Sequence, residues 1–135
     1  MPGLPFPREQ FQLVVVSDGI HEFVPPDLRD AAILEIKNIL AKGGIAILSD
    51  YTKPEQFQNF EDSVARHLKI TNVIYLNDRL WYQFESWFKA VRHWRVAKKI
   101  LSSRTIAKML KWPAKMLGKR GSCHIVIAAE NITNG

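Results

Sequence analysis

The run Phe11 to Ser17, FQLVVVS, is apolar and β-branched at consecutive positions instead of alternating ones. That pattern predicts a strand covered on both faces, as in a parallel sheet sandwiched between helices. Its polar end, Ser17-Asp18-Gly19, is where the strand gives way to a loop. From Leu28 to Leu40, residues Leu28, Ala32, Ile36 and Leu40 recur at helical spacing, with Ile33 and Ile39 beside them. An amphipathic helix is predicted, with Asp27 as N-cap, Asp30 favouring the first turn, and Lys42-Gly43-Gly44 closing it. A second buried strand, GGIAILSDY, follows and ends in the polar pair Ser49-Asp50. Strand, helix and strand with short joints make a βαβ unit with a right-handed parallel crossover.

Further along, Phe57, Phe60 and Val64 mark a helix from about Pro54 to His67, and ITNVIYL gives a third strand. From Asp78 the pattern becomes a long helical stretch, expected to break near Ser102-Ser103 and at Trp112-Pro113. The turn-forming GKRGS then leads into a last strand, SCHIVIAAEN. The strands fall near 11–17, 44–50, 71–76 and 122–130, the last pair antiparallel with a helical insertion between them.

Composition narrows the class. With 135 residues, 47% of them hydrophobic and 24% charged, the chain reads as one globular domain and not as a disordered segment. No apolar run approaches the roughly 18 to 20 residues that cross a bilayer. The start MPGLPFPREQ lacks the pattern of a secretory leader, and the single Cys123 has no disulfide partner, so a cytoplasmic location and a small buried thiol are expected. The net charge of +6 is concentrated in one segment. Residues 1–78 carry 7 Lys/Arg against 11 Asp/Glu, whereas residues 79–120 carry 12 Lys/Arg against Glu85 alone.

The order of these pieces resembles the C-terminal half of a class I S-adenosylmethionine-dependent methyltransferase. The matching residues are Leu4-Pro5-Phe6 before the strand Phe11–Val15, the helix end Leu40-Ala41-Lys42-Gly43-Gly44 before the next strand, and the closing strand HIVIAAEN. The resemblance covers essentially the whole chain and implies an α/β fold, a partial Rossmann-like methyltransferase sheet with a helical insertion before its last strand. Two family features are not present. In the family the first strand leads into a glycine-rich turn approached by the cofactor, and an acid ends the second strand, the logic of dinucleotide sites. Gly43-Gly44 follows a helix and precedes a strand, the reverse order. Residues 1–135 are therefore expected to be an N-terminally incomplete domain, lacking a half supplied by a longer chain or a partner subunit. S-adenosylmethionine is the implied cofactor, and weak or no binding of it is expected from these residues alone. Where relatives carry a sequence of the SEVLEHL type, this chain has Ser17-Asp18-Gly19-Ile20-His21-Glu22-Phe23, with His and Glu exchanged.

The resemblance implies a site at the carboxyl end of the first strand. Ser17 and Asp18 would border the methionine part of the cofactor and the acceptor atom, and Leu4 and Phe6 would wall the adenine ring. His21 is the candidate base, because a neutral imidazole can take a proton from an acceptor hydroxyl or amine; the alternative is a loop histidine satisfied by Glu22. Tyr51 is a rim candidate. No spacing of Cys, His and carboxylate points to a metal. The methyl acceptor is not readable.

All four tryptophans fall in the basic stretch, and Leu80, Phe84, Trp87, Val91, Trp94 and Leu101 form an apolar stripe beside crowded cations. In a solvated core helix the stripe simply packs. As a lid, the insertion 78–120 would offer Trp81, Trp87, Arg92 and Arg95 to a substrate or an anionic surface. The competing function is a non-catalytic module that carries this helix to an anionic membrane surface or, less favourably, to nucleic acid, peripheral to the membrane in the first case.

Overall fold

The computed structural model describes residues 3–76, 78, 86 and 104–132. The chain divides into two compact units, Met1–Ile74 with Ile125–Gly135, and Tyr75–His124. Among the described residues four strands form one sheet: β1 (Phe11–Ser17), β2 (Leu40–Tyr51), β3 (Lys69–Tyr75) and β4 (His124–Glu130), in the spatial order β1-β2-β4-β3. The helices among the described residues include α1 (Ile20–Phe23), α2 (Arg29–Ile39), α3 (Pro54–Ala65) and α4 (Arg104–Met116). The mixed α/β architecture is the one the residue pattern predicts.

β1 and β2 run parallel, joined by the α2 crossover, with Val14 opposite Ala46, Val16 opposite Leu48 and Ser17 opposite Ser49. Hydrogen bonds at 2.9 Å in both directions tie Asn131, just past β4, to Gly43 and Gly44 near the start of β2. Strand end meets strand start, so β4 runs antiparallel to β2. The core lies on one face. Ala46 and Leu48 of β2 and Ile125, Ile127 and Ala129 of β4 point into it at period 2. Against them pack Ile33, Ile36 and Ile39 of α2 and Phe57, Phe60 and Val64 of α3, at helical spacing.

The consecutive apolar run of β1 predicted cover on both faces, and here the structure differs. Leu13 is 54% exposed, Val15 60%, and Ile45 beside Leu13 46%. These side chains share the face opposite the core, because residues paired across parallel strands project to the same side. β1 is also an edge strand. A β-branched edge with a bare apolar face is a template for further pairing.

Local details also depart from expectation. Asp27 does not cap α2: Pro25-Pro26 start a tight 3₁₀ turn over Pro26–Leu28, which places Asp27 inside that turn and Leu28 at the cap without a side-chain bond. The glycine pair does not end a helix either. α2 stops at Ile39, and Gly43-Gly44 lies within β2 where the register with β1 jumps between Phe11 and Leu13. Gly43 takes φ 72°, and a Cβ on Gly44 would meet the carbonyl oxygens of Ala41 at 2.9 Å and Phe11 at 3.0 Å. Both positions need glycine for backbone reasons. In the second unit α4 continues through Pro113 instead of breaking there, while residues 102 and 103 lie outside the described residues. Cys123 is half-buried and precedes β4. Its N–H and that of His124 are accepted by Asp78, at 2.8 and 3.3 Å, and Asp78 also pairs with the His124 ring.

Candidate functional site

The carboxyl ends of β1 and β2 lie side by side, which is where open parallel sheets place ligands. After Ser17 the chain turns sharply. Asp18 adopts the left-handed conformation at φ 51°, which Asp tolerates better than most residues, and its N–H donates to the Ser49 carbonyl at 2.8 Å. This link holds the turn against β2 and launches α1, which presents His21.

The partner of His21 comes from β2. Asp50 is 1% exposed, and its Oδ2 accepts the His21 backbone N–H and meets His21 Nδ1, both at 3.0 Å. Oδ1 accepts the Tyr51 N–H at 3.1 Å. A carboxylate facing Nδ1 fixes the neutral ring with its proton there, so Nε2 carries the lone pair. Nε2 makes no hydrogen bond among the described residues. Two further contacts steady the ring. Phe60 meets it edge-on, centroids 5.1 Å apart, and Arg29 donates to the His21 carbonyl at 3.1 Å and the Val24 carbonyl at 3.2 Å, clamping α1 to the start of α2.

These groups line an open cavity of about 580 Å³, bordered by Asp18, His21, Arg29, Asp50 and Tyr51. A second, apolar cavity of about 390 Å³ lies on the other side of the 18–21 turn, walled by Leu4, Phe6, Val14, Val16 and Ile20. The structure thus brings Asp18, His21 and Tyr51 together and places Leu4 and Phe6 in the neighbouring cavity. Ser17 lines neither. Trp81, Trp87, Arg92 and Arg95 lie outside the described residues. Glu22 is not the partner of His21, since Asp50 occupies that role, and the sequence reading missed both Asp50 and Arg29. The available signal was the polar pair Ser49-Asp50 ending a buried strand.

What this constellation can do is hold a polar group at the strand ends, next to an oriented imidazole, with an apolar slot alongside. No family model matches the chain. A solved structure of the [4+2]-cyclase SpnF superposes over 98% of this chain and 53% of its own, with a TM-score of 0.61 and 17% identity. Phosphoethanolamine N-methyltransferase 2 of Haemonchus contortus, solved in complex with S-adenosyl-L-methionine, matches 95% of this chain and 35% of its own at TM-score 0.55 and 15% identity. The fold is that of the class I S-adenosylmethionine-dependent methyltransferases. Geranyl diphosphate methyltransferase, in complex with the same compound, matches 96% of this chain and 54% of its own, at TM-score 0.52 and 14% identity. A short stretch of 42 residues, 31% of this chain, is 43% identical to carboxy-S-adenosyl-L-methionine synthase of Dichelobacter nodosus (strain VCS1703A), covering 18% of that protein. The chain therefore spans about half the length of SpnF and of geranyl diphosphate methyltransferase, and about a third of the Haemonchus enzyme. A cyclase on the same fold as methyltransferases also means that the reaction has to be argued from the site.

Proposed function

We infer that the chain forms the acceptor-side half of an S-adenosylmethionine-dependent methyltransferase site. The observation that carries this reading is the pairing of His21 with the buried Asp50 at the carboxyl ends of two parallel strands, beside an apolar cavity and next to a sheet edge left open. Solved proteins of the same fold hold S-adenosylmethionine or S-adenosylhomocysteine, which supports this donor.

Of the cofactor, the residues present fit one part. The cavity of Leu4 and Phe6 is apolar and suits a flat ring, and Asp18 borders the polar side, whereas the chain offers no glycine-rich turn for the remainder. The strands that carry such a turn would pair with the free edge of β1, and the helices joining them would cover Leu13, Val15 and Ile45 on the sheet face, whether from a preceding segment or a partner subunit. When bound, S-adenosylmethionine supplies a methyl group that is already activated.

The chain's own residues then do three things. Arg29 and the Asp18 turn hold α1 in place, so that His21 projects at the strand ends. Nε2 of His21 accepts the proton of an acceptor hydroxyl or amine. Asp50 keeps the ring in the Nδ1–H tautomer and stabilises the imidazolium that forms, as the acid does in other oriented His–carboxylate pairs. The experiment joins a strand, glycine-rich turn and helix ahead of Gly3 and titrates S-adenosylmethionine by calorimetry. Saturable micromolar binding competed by S-adenosylhomocysteine is expected, and absence of heat in a folded fusion refutes the reading.

A further inference from the structure

Helix α4 stands apart from the site just described. Between Arg104 and Arg120 the sequence holds six Lys/Arg and no Asp/Glu. Met109, Trp112 and Met116 are spaced three and four apart, so they share one face, and they are 69%, 72% and 76% exposed. Leu117, just past the helix, is half exposed as well. Arg104 and Lys108, two turns and one turn before Trp112 on its own row, are exposed and border this stripe. Large apolar side chains in a contiguous exposed row mark an interaction surface.

The chemistry of that row selects its partner. A nucleic acid would use the cations for phosphate and could stack a base on Trp112, but would leave two thioethers in water. An anionic bilayer uses all three features. Its headgroups neutralise the Lys and Arg, its interface accommodates the indole, and its acyl boundary takes up the methionines. Among the described residues no helix is long and apolar enough to cross a membrane, so the geometry is one of lying in the surface plane. We propose that α4 seats the protein on an anionic lipid surface, with Met109, Trp112 and Met116 facing the acyl boundary and Arg104 and Lys108 at the headgroups. This inference is independent of the methyl-transfer reading.

Sedimentation of the full chain with vesicles tests it. Phosphatidylcholine vesicles containing about one-third phosphatidylglycerol are expected to carry the protein down, and pure phosphatidylcholine vesicles to leave it in solution. Replacing Arg104→Glu and Lys108→Glu should weaken partition at least about twentyfold, from roughly fivefold for each cation removed. Met109→Ser, Trp112→Ser and Met116→Ser together should weaken it roughly a hundredfold or more. All five side chains are exposed, so circular dichroism melts should stay unchanged. As a second measurement, vesicles should shift tryptophan emission to the blue, and Trp112→Phe should remove most of that shift. Equal binding to both vesicle types overturns the proposal. So does retained binding by the triple Ser variant, or capture by polyuridylate or self-association through α4 without vesicle binding.

Discussion

Asp50 gives the account its sharpest mutational test. Its side chain, almost wholly buried, accepts the His21 N–H, faces His21 Nδ1 and accepts the Tyr51 N–H. Asp50→Ala leaves the part-buried His21 N–H and Nδ1–H without an acceptor, at about 1–3 kcal/mol for each orphaned donor. Two effects reduce that sum. The Tyr51 N–H belongs to an exposed residue that water can reach, and removing a buried carboxylate recovers part of its desolvation cost. A net loss of about 2–3 kcal/mol is expected. At this chain length that corresponds to a drop in Tm of roughly 10 °C. Asp50→Asn keeps one carbonyl oxygen but turns an NH₂ group toward a donor, and should lose about half as much. The assay is urea unfolding followed by circular dichroism, with ¹⁵N spectra of the imidazole as a second readout. Wild type should show the Nδ1–H tautomer of His21, and Asp50→Ala a mixture. An Asp50→Ala protein within about 0.5 kcal/mol of wild type, with an unchanged tautomer, refutes the reasoning.

Three further outcomes are expected. Gly44→Ala forces a Cβ against two backbone carbonyl oxygens and should cost about 1–3 kcal/mol in thermal unfolding, more than the same change at the surface. Asn131 is buried, and its Nδ2 donates to the Leu40 carbonyl at 2.9 Å, so Asn131→Ala should cost about 1–3 kcal/mol by urea titration and loosen the junction of α2 and β2. The hydrogen bond from the His67 ring holds the Asp30 carboxyl below its ordinary 3.8, helped by the charges of His67 and Arg66 and opposed by partial desolvation. A depressed carboxyl stabilises the fold above its unfolded pKa, and the contribution is lost as pH falls through the lower folded value. Stability measured from pH 6 to pH 2 should fall more steeply below pH ~4 in wild type than in Asp30→Asn, by a small amount because Asp30 is exposed.

The sheet was largely legible in the sequence because buried strands and amphipathic helices announce themselves by period. FQLVVVS, GGIAILSDY and the Phe57-Phe60-Val64 triplet each say what they form without reference to anything distant. What burial a face receives is another matter. Leu13 and Val15 read as core because they are apolar, yet their cover depends on elements that the residues described here do not contribute. The His21–Asp50 contact joins residues 29 apart and exists only because β1 and β2 pair with Ser17 opposite Ser49. The nearer carboxylate, Glu22, was the natural guess without that register. Asn131 was likewise unreadable as a clamp: in sequence, Asn131-Ile132-Thr133 is only an Asn-X-Thr glycosylation pattern, and its structural role follows from β4 ending beside the last turn of α2.

Everything proposed for catalysis depends on β1 presenting an unoccupied edge to which donor-binding strands can add. Amide hydrogen exchange across Gln12–Val16 reads this directly. Along an edge strand alternate N–H groups point away from the sheet, so the chain by itself should show an alternating pattern, one set as protected as Ala46–Leu48 of β2 and the other exchanging near the rate of an unfolded peptide. Joined to a strand and glycine-rich turn, the fast set should slow by at least about a hundredfold. Uniform protection of all five amides in the isolated chain would contradict the account.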